Sequence, residues 1–248
     1  MERRLWYLRG CDLFENLTPE EAERLERRAL FRTFKRNSLI YSPSDPGQGV
    51  MVLAKGRVKI KDITSDGKES ILTFIEEGEM FGELAILDGQ PRQDYAETVL
   101  DSEIVVVPRE NMLWLMRTKP DVSLYITKLI GLRRQRIENR LRNVLFLPSR
   151  ERMIRLLHEL MEAHGDRQGN RCELRLALSH QELASLIGVT RETVTTTLGH
   201  LQVEGFIKAE RRRLVIVDCA TLEKLARGEV VREVDEGPAP GKAKKTGM

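Results

Sequence analysis

Two runs of apolar residues at helical spacing lie within residues 178–213. The apolar positions of the two runs are Leu183, Ala184 and Ile187, followed by Val194, Leu198 and Leu201. Residues three and four positions apart share one face of an α-helix, so this pattern predicts two short amphipathic helices. Gly188 separates the runs and permits a sharp turn, which is typical of a helix-turn-helix.

Polar residues mark the start of each predicted helix. Ser179 followed by Glu182 has the spacing of a capping box, in which each side chain bonds the other residue's backbone amide. Thr190 can cap a second helix that begins at Arg191. These start signals agree with the apolar spacing.

The outward face of the second predicted helix has an unusual composition. Its residues are Arg191, Glu192, Thr195, Thr196 and Gly199. Arginine can pair with the edge of guanine, glutamate can accept from cytosine, and threonine can contact a base or a thymine methyl group. The composition therefore favours a helix that reads base edges in the major groove. The alternative is an ordinary helical hairpin with a charged loop.

A strand, a basic turn and a second strand are predicted after this helix. Arginines at the turn suit phosphate oxygens. Further positions on the same unit are candidates for contacts near the DNA. The turn arginines and these further candidates are Arg211, Arg212 and Arg213, and Ser179, His180, Gln181 and His200.

Short apolar stretches separated by turn signals fill residues 31–107. Asp66-Gly67, between two alternating segments, is the strongest hairpin signal among them. Many short strands with regular turns predict an antiparallel sandwich or roll. Upstream of these strands, Thr18 and Glu21 have the spacing of another helix cap.

A long helix is predicted from about Asp121 to Leu145, and Pro148 ends it. Its heptad seam consists of Ile130, Arg134, Ile137, Leu141 and Val144. The position of this helix between two domains favours a homodimer contact. The alternative is a helix that docks only on its own domain. The other arginines of this helix are expected to add to DNA attraction.

The segments 181–184 and 188–194 resemble the winged helix-turn-helix of the cAMP receptor protein/FNR (Crp/Fnr) superfamily of bacterial transcription regulators. Residues 81–85 and 89–92 resemble the phosphate-binding cassette of cyclic-nucleotide domains. The resemblance covers nearly the whole chain and implies an α+β fold. The implied parts are a β-roll sensor domain at 1–120, a dimerisation helix at 121–147 and a winged helix-turn-helix at 148–228. Residues 229–248 are rich in proline, glycine and lysine, and this composition predicts a disordered tail.

The cassette resemblance implies an effector site. In such a site backbone amides at a glycine turn cradle a phosphate, an arginine neutralises it and a glutamate accepts a ribose hydroxyl. The candidate effector residues are Gly82, Glu83, Leu84, Arg92 and Gln93.

Two features depart from the cAMP-binding pattern. Gln93-Asp94 follows the arginine where a small serine or threonine is usual, and Ile137 and Glu138 replace hydroxyl residues on the long helix. Three interpretations remain open. Glu83 and Arg92 could pair with each other or with backbone in a pocket without a ligand. The pocket could instead bind another nucleotide or small anion, or cAMP itself.

The composition argues against several kinds of cofactor and against membrane contact. The three cysteines are far apart and lack a CxxC pattern, which argues against a disulfide framework and an iron–sulfur cluster. All four histidines follow the long helix, which argues against haem in the sensor half, and no metal site is predicted. We find no secretory signal and no apolar run of membrane-spanning length, so we expect a soluble, cytoplasmic protein that does not contact the membrane.

The leading hypothesis is a homodimeric regulator that binds palindromic double-stranded DNA. The family resemblance implies contact with RNA polymerase, usually with activation. The alternative is a cyclic-nucleotide-binding regulatory protein that acts through a protein partner. An enzyme is not expected, because the carboxylates of the sensor half accompany no nucleophile motif, metal-ligand cluster or phosphate loop.

Overall fold

The computed structural model of the chain describes residues 14, 17–210 and 213–229. The chain divides into two compact units. One unit contains residues up to 148 together with 179–194, and the other contains 149–178 and the residues from 195 onward.

The described residues form helices and strands that we number in chain order. The helices α1 to α8 are Pro19–Glu26, Leu84–Leu87, Arg109–Thr118, Pro120–Phe146, Ser149–His164, His180–Ile187, Arg191–Val203 and Cys219–Ala226. The strands β1 to β6 are Leu30–Phe34, Leu39–Tyr41, Gly49–Lys55, Val58–Ile63, Glu69–Ile75 and Met80–Phe81. The strands β7 to β12 are Tyr95–Thr98, Ser102–Pro108, Gly165–Gln168, Arg171–Leu174, Ile207–Glu210 and Arg213–Ile216.

Two four-stranded antiparallel sheets form the β-roll of the first unit. Their strand orders are β1-β8-β3-β6 and β2-β7-β4-β5. Apolar side chains of both sheets fill the space between them: Leu53 and Ile104 of one sheet and Val58 and Ile75 of the other are fully buried. The predicted Asp66-Gly67 hairpin is confirmed, since β4 pairs with β5 and Gly67 has a φ of 80°.

A cluster of four charged side chains lies on β4, β5 and β7, and we call it the sheet charge cluster. Its members are Lys59, Lys61, Glu69 and Glu97. Lys61 Nζ lies 2.6 Å from a Glu97 oxygen and 2.8 Å from a Glu69 oxygen. Burial alone raises the pKa of both carboxyls, but the hydrogen bonds from Lys61 and Lys59 outweigh it, and both pKa values are lowered.

Helix α4 confirms the predicted long helix. It spans 27 residues and ends at Phe146, because Leu147 is extended (φ −115°, ψ 142°) before Pro148. Val122 and Ile126 are buried in the core of the first unit.

Two arginines attach α4 to the β-roll. Arg133 Nη2 donates to the carbonyl of Met80 at 2.5 Å, and Arg140 Nη1 donates to the carbonyl of Leu72 at 2.7 Å. The arginines are seven residues apart, about two helical turns, and therefore share one face. This corrects the expectation of DNA attraction for Arg133 and Arg140 alone, because the β-roll binds these two; for the other arginines of the helix it stays a prediction.

The second unit contains one four-stranded antiparallel sheet of order β11-β12-β10-β9. The predicted strand pair after the second short helix is confirmed as β11 and β12. Sequence analysis missed the hairpin of β9 and β10, and it also missed α8, which Asp218 caps by accepting from the amide of Thr221. No helix in the described part of the chain is both long enough and apolar enough to span a membrane.

Candidate functional site

The start of α6 and the turn that follows it are fixed by local contacts. The Ser179 hydroxyl accepts from the amide of Glu182, and the Ser179 amide donates to the Glu182 carboxylate at 2.8 Å, which confirms the capping box. The helix ends at Gly188, whose left-handed conformation (φ 66°, ψ 49°) costs glycine little. Thr190 then accepts from the amide of Thr193 at 3.2 Å and begins α7.

Helix α7 has one buried and one exposed face. Val194, Leu198 and Leu201 are buried, as their spacing predicts. The exposed residues of the other face are Arg191, Glu192, Thr195, Thr196 and Gly199. The α7 reading face, as we call these five residues, therefore presents a guanidinium, a carboxylate and two hydroxyls from one helix.

Glu192 is ionised on this face. A hydrogen bond from its own backbone amide, and next one from the Thr190 hydroxyl, lower the pKa of its carboxyl. The carboxylate is therefore a ready acceptor at neutral pH. Ser179, Gln181 and His200 are also exposed, while His180 is partly buried.

Of the three arginines predicted at the basic turn, which we call the wing arginines, the structure describes only Arg213. Arg213 binds Glu173: its Nε donates to Oε1 at 2.5 Å, and its Nη2 donates to Oε2. This hydrogen bonding lowers the pKa of Glu173. A phosphate must therefore compete with Glu173 for Arg213. Arg211 and Arg212 lie outside the described residues.

A cavity of about 360 Å³ lies in the β-roll beside α4. Its lining includes all five candidate effector residues, Gly82, Glu83, Leu84, Arg92 and Gln93. The β-roll and α4 thus bring the predicted set together around one space.

Arg92 is 5% exposed and uses its guanidinium on backbone carbonyls. Nη1 donates to Gly82 O at 2.5 Å and Nη2 donates to Gly49 O at 2.6 Å. The guanidinium carbon lies 4.4 Å from the centre of the Tyr41 ring. At position 82 φ is 72°, and a Cβ would lie 2.3 Å from Nη1, so the close approach requires glycine.

Glu83 is also engaged inside the protein. Arg133 Nη1 lies 3.0 Å from both of its carboxylate oxygens. The Glu83 side chain is 6% exposed and that of Arg133 is 15% exposed. Sequence analysis did not identify Arg133 as a site residue. The only available signal was that Arg133 and Arg140 share one helix face.

Asp94 brings a second carboxylate to the cavity wall, which Tyr41 also lines. Burial raises the pKa of the Asp94 carboxyl, although the Tyr41 hydroxyl and the charge of Arg92 act in the opposite direction. Burial, followed by the charge of Asp94, raises the pKa of the Tyr41 phenol.

These groups differ from the cyclic-nucleotide pattern at the phosphate contact and on the α4 wall. The arginine that would neutralise the phosphate already binds two carbonyls, and a carboxylate lies two residues beyond it. The α4 wall offers the apolar side chain of Ile137 and the carboxylate of Glu138, which binds Arg134 at 2.7 Å. Within the described residues, no group of three or more His, Cys, Asp or Glu side chains could hold a metal ion.

Comparisons with known proteins match both halves of the chain. The family model for the cyclic nucleotide-binding domain matches residues 31–119, and that for the Crp-like helix-turn-helix domain matches residues 151–225. The chain is 30% identical over 221 residues to the cyclic AMP receptor protein of Thermus thermophilus, covering 89% of this chain and 99% of the relative. It is 27% identical over 220 residues to a CRP-like cAMP-activated global transcriptional regulator of Mycobacterium tuberculosis, covering 89% and 98%.

Solved structures agree with these matches. A CRP/FNR-family transcriptional regulator from Thermus thermophilus superposes with a TM-score of 0.65 at 27% identity, covering 80% of this chain and 98% of that chain. The fold is also that of a CooA mutant from Carboxydothermus hydrogenoformans, with a TM-score of 0.73 at 18% identity, covering 91% and 97%. The order of β-roll, long helix and helix-turn-helix is common to these proteins.

Proposed function

Because this chain belongs to the Crp/Fnr superfamily and is a Crp-like transcription regulator with a helix-turn-helix DNA-binding domain, we propose that it acts as a homodimer on a palindromic operator. In this proposal, residues 1–120 form the sensor, 121–147 the dimerisation helix, and 148–228 the DNA-binding domain. The protein then activates transcription through contact with RNA polymerase.

The α7 reading face is the observation that carries the proposal. Its five exposed residues lie opposite three buried apolar residues, so the helix can enter a groove without exposing its core side. Arg191 and Glu192 at its N-terminal end supply a bidentate donor and an acceptor for base edges. The short side chains of Thr195 and Thr196 let the helix backbone approach the bases.

The exposed apolar side chains of α4 support the homodimer. Ile137 is 45% exposed, Leu141 58% and Val144 44%. Large apolar side chains at heptad spacing on an exposed helix favour a second helix as their partner. The two α7 helices of such a dimer would enter major grooves about 34 Å apart, which requires a palindromic site.

Contacts with the DNA backbone would set the register of this complex. Ser179, His180, Gln181 and His200 are our candidates within the described residues, and the wing arginines add positive charge. Each neutralised phosphate makes binding more salt-dependent, by a slope of about 0.9 in log affinity against log salt.

Substitution of Arg191 tests the proposal. Arg191→Ala is expected to weaken operator binding by ~1–3 kcal/mol and to relax base choice at one position of each half-site. The operator would be selected from a random duplex pool with the full-length protein, and affinities measured by fluorescence anisotropy.

Arg227→Ala is the matched control, since it removes an exposed arginine at the end of α8. It should leave base choice unchanged. An Arg191→Ala protein that binds with wild-type affinity and selectivity would show that α7 does not read the operator.

A further inference from the structure

We propose that the β-roll cavity binds a largely apolar ligand that carries no phosphate and donates a hydrogen bond to Asp94. This inference deepens the proposed function, on which it rests, because it gives the chemical class of the regulator's effector. It departs from the cyclic nucleotide that the family model describes, for reasons that lie in the residues of this cavity.

The first reason is the size and lining of the cavity. Its volume of about 360 Å³ suits a small organic molecule. Most of the wall is apolar, with contributions from both sheets, the short α2 and the long α4. The large apolar lining residues are Ile60, Leu72, Phe81, Leu84, Ile130 and Ile137.

The second reason is that the cations of the wall are already engaged. Arg92 serves two backbone carbonyls, Arg133 binds Glu83, and Arg134 binds Glu138. A phosphate that captured Arg92 would leave two carbonyls unpaired, and leaving buried acceptors unsatisfied is costly. Arg136, at the rim on α4, is exposed to solvent, where attraction to an anion is weak.

The third reason is the carboxylate of Asp94. It lies on the cavity wall and is partly buried. A carboxylate has about four lone-pair positions, so it can accept from a ligand N–H or O–H. An anionic ligand would instead meet like charge in a poorly solvated place.

Two fluorescent probes that share one ring skeleton test the proposal. N-phenyl-1-naphthylamine is apolar and carries one N–H, whereas 1-anilinonaphthalene-8-sulfonate adds a single negative charge. Both are titrated into the full-length protein in the absence of DNA. We expect the neutral probe to bind at least tenfold more tightly, and we expect millimolar cAMP to displace neither probe.

Variants locate the probe and identify the source of selectivity. Asp94→Asn keeps the shape and removes the charge, so the preference for the neutral probe should fall at least threefold. Asp88→Asn, at another lining carboxylate, is the matched control and should not change the preference. Leu72→Trp narrows the cavity and should weaken the neutral probe at least fivefold.

Several results would overturn the proposal. The first is a preference for the sulfonate probe that Arg136→Gln abolishes. The second is displacement of either probe by cAMP. The third is binding of the neutral probe that Leu72→Trp leaves unchanged. If Leu72→Trp does not fold, the near-isosteric Asp94→Asn still decides the question. Because the titrations contain no DNA, their failure leaves operator recognition standing, and an Arg191→Ala result leaves the probe result standing.

Discussion

Replacing Leu141 with alanine is expected to weaken self-association of the protein. Leu141 is 58% exposed in a single copy, although its position on the α4 seam predicts contact with a second copy. Full burial of a leucine side chain is worth ~1.5–3 kcal/mol, so burying the exposed part is worth roughly 1–1.7 kcal/mol per copy.

The symmetry of a dimer doubles this effect. Alanine retains one of the four side-chain carbons, so the two substitutions together should cost about 1.5–2.5 kcal/mol, which is roughly a ten- to sixtyfold rise in the dimer dissociation constant. Because Leu141 is exposed within one copy, the fold of that copy should be unaffected. Sedimentation equilibrium over a concentration series measures the constant directly.

Leu132→Ala is the matched control. Leu132 is 46% exposed and nine residues from Leu141, about two and a half turns, so it lies on the opposite face of α4. Its substitution should leave the constant unchanged. The homodimer would be refuted by a wild-type protein that stays monomeric at working concentrations. If Leu132→Ala raised the dimer dissociation constant as much as Leu141→Ala or more, the α4 seam would not be the dimer contact.

Three further substitutions have expected outcomes. Glu173→Gln removes the charge that binds Arg213, so affinity for operator and random DNA should rise alike and the salt slope should steepen by roughly 0.9 per phosphate gained; an unchanged slope would mean that Arg213 makes no DNA contact. The pKa values of Glu69 and Glu97 in the sheet charge cluster are lowered, so these carboxylates stabilise the fold above about pH 4.5, and this stability is lost as pH falls through their pKa values. Lys61→Met should therefore reduce the fall in the free energy of unfolding between neutral and acid pH, measured by urea denaturation at each pH. An unchanged pH dependence would contradict the linkage. Ser179→Ala removes one half of the α6 capping box and should lower the free energy of unfolding by about 0.5–2 kcal/mol in the same denaturation assay, whereas wild-type stability would show that the cap contributes nothing.

Local chemistry explains which elements the sequence predicted well. The capping box of α6 joins Ser179 and Glu182, three residues apart, and the β4–β5 hairpin depends on a turn at Gly67. Both structures are determined within a few residues, so their signals are visible without a fold. The exposed side of α7 follows in the same way from helical periodicity.

The elements that were missed depend on tertiary neighbours. Strand β9, with the sequence GDRQ, has no apolar alternation because it is an edge strand and its last three residues are exposed. Its hydrogen bonds to β10 make it a strand. By contrast, α8 carried a readable signal, since Asp218 precedes Leu222 and Leu225 at cap and helical spacing.

The partners of the site residues were the least predictable feature. Arg133 binds Glu83 from 50 residues away, and Arg213 binds Glu173 from 40 residues away. Many arginines in this chain could have served either glutamate, so only the packed structure selects among them. Sequence reasoning brought the effector residues to one place and gave the pairing of Arg92 with backbone as one of three interpretations, but it could not choose among them.

The attachment of α4 to the β-roll has a consequence for mutational tolerance. Arg140 donates to the main-chain oxygens of Ile71 and Leu72 on β5, and Arg133 donates to that of Met80 on β6. Every amino acid supplies the same carbonyl, so these three hydrogen bonds do not depend on the side chains at the strand positions that accept them. A saturation library scored for helix attachment should therefore be permissive at the half-buried Leu72 and intolerant at the two arginines.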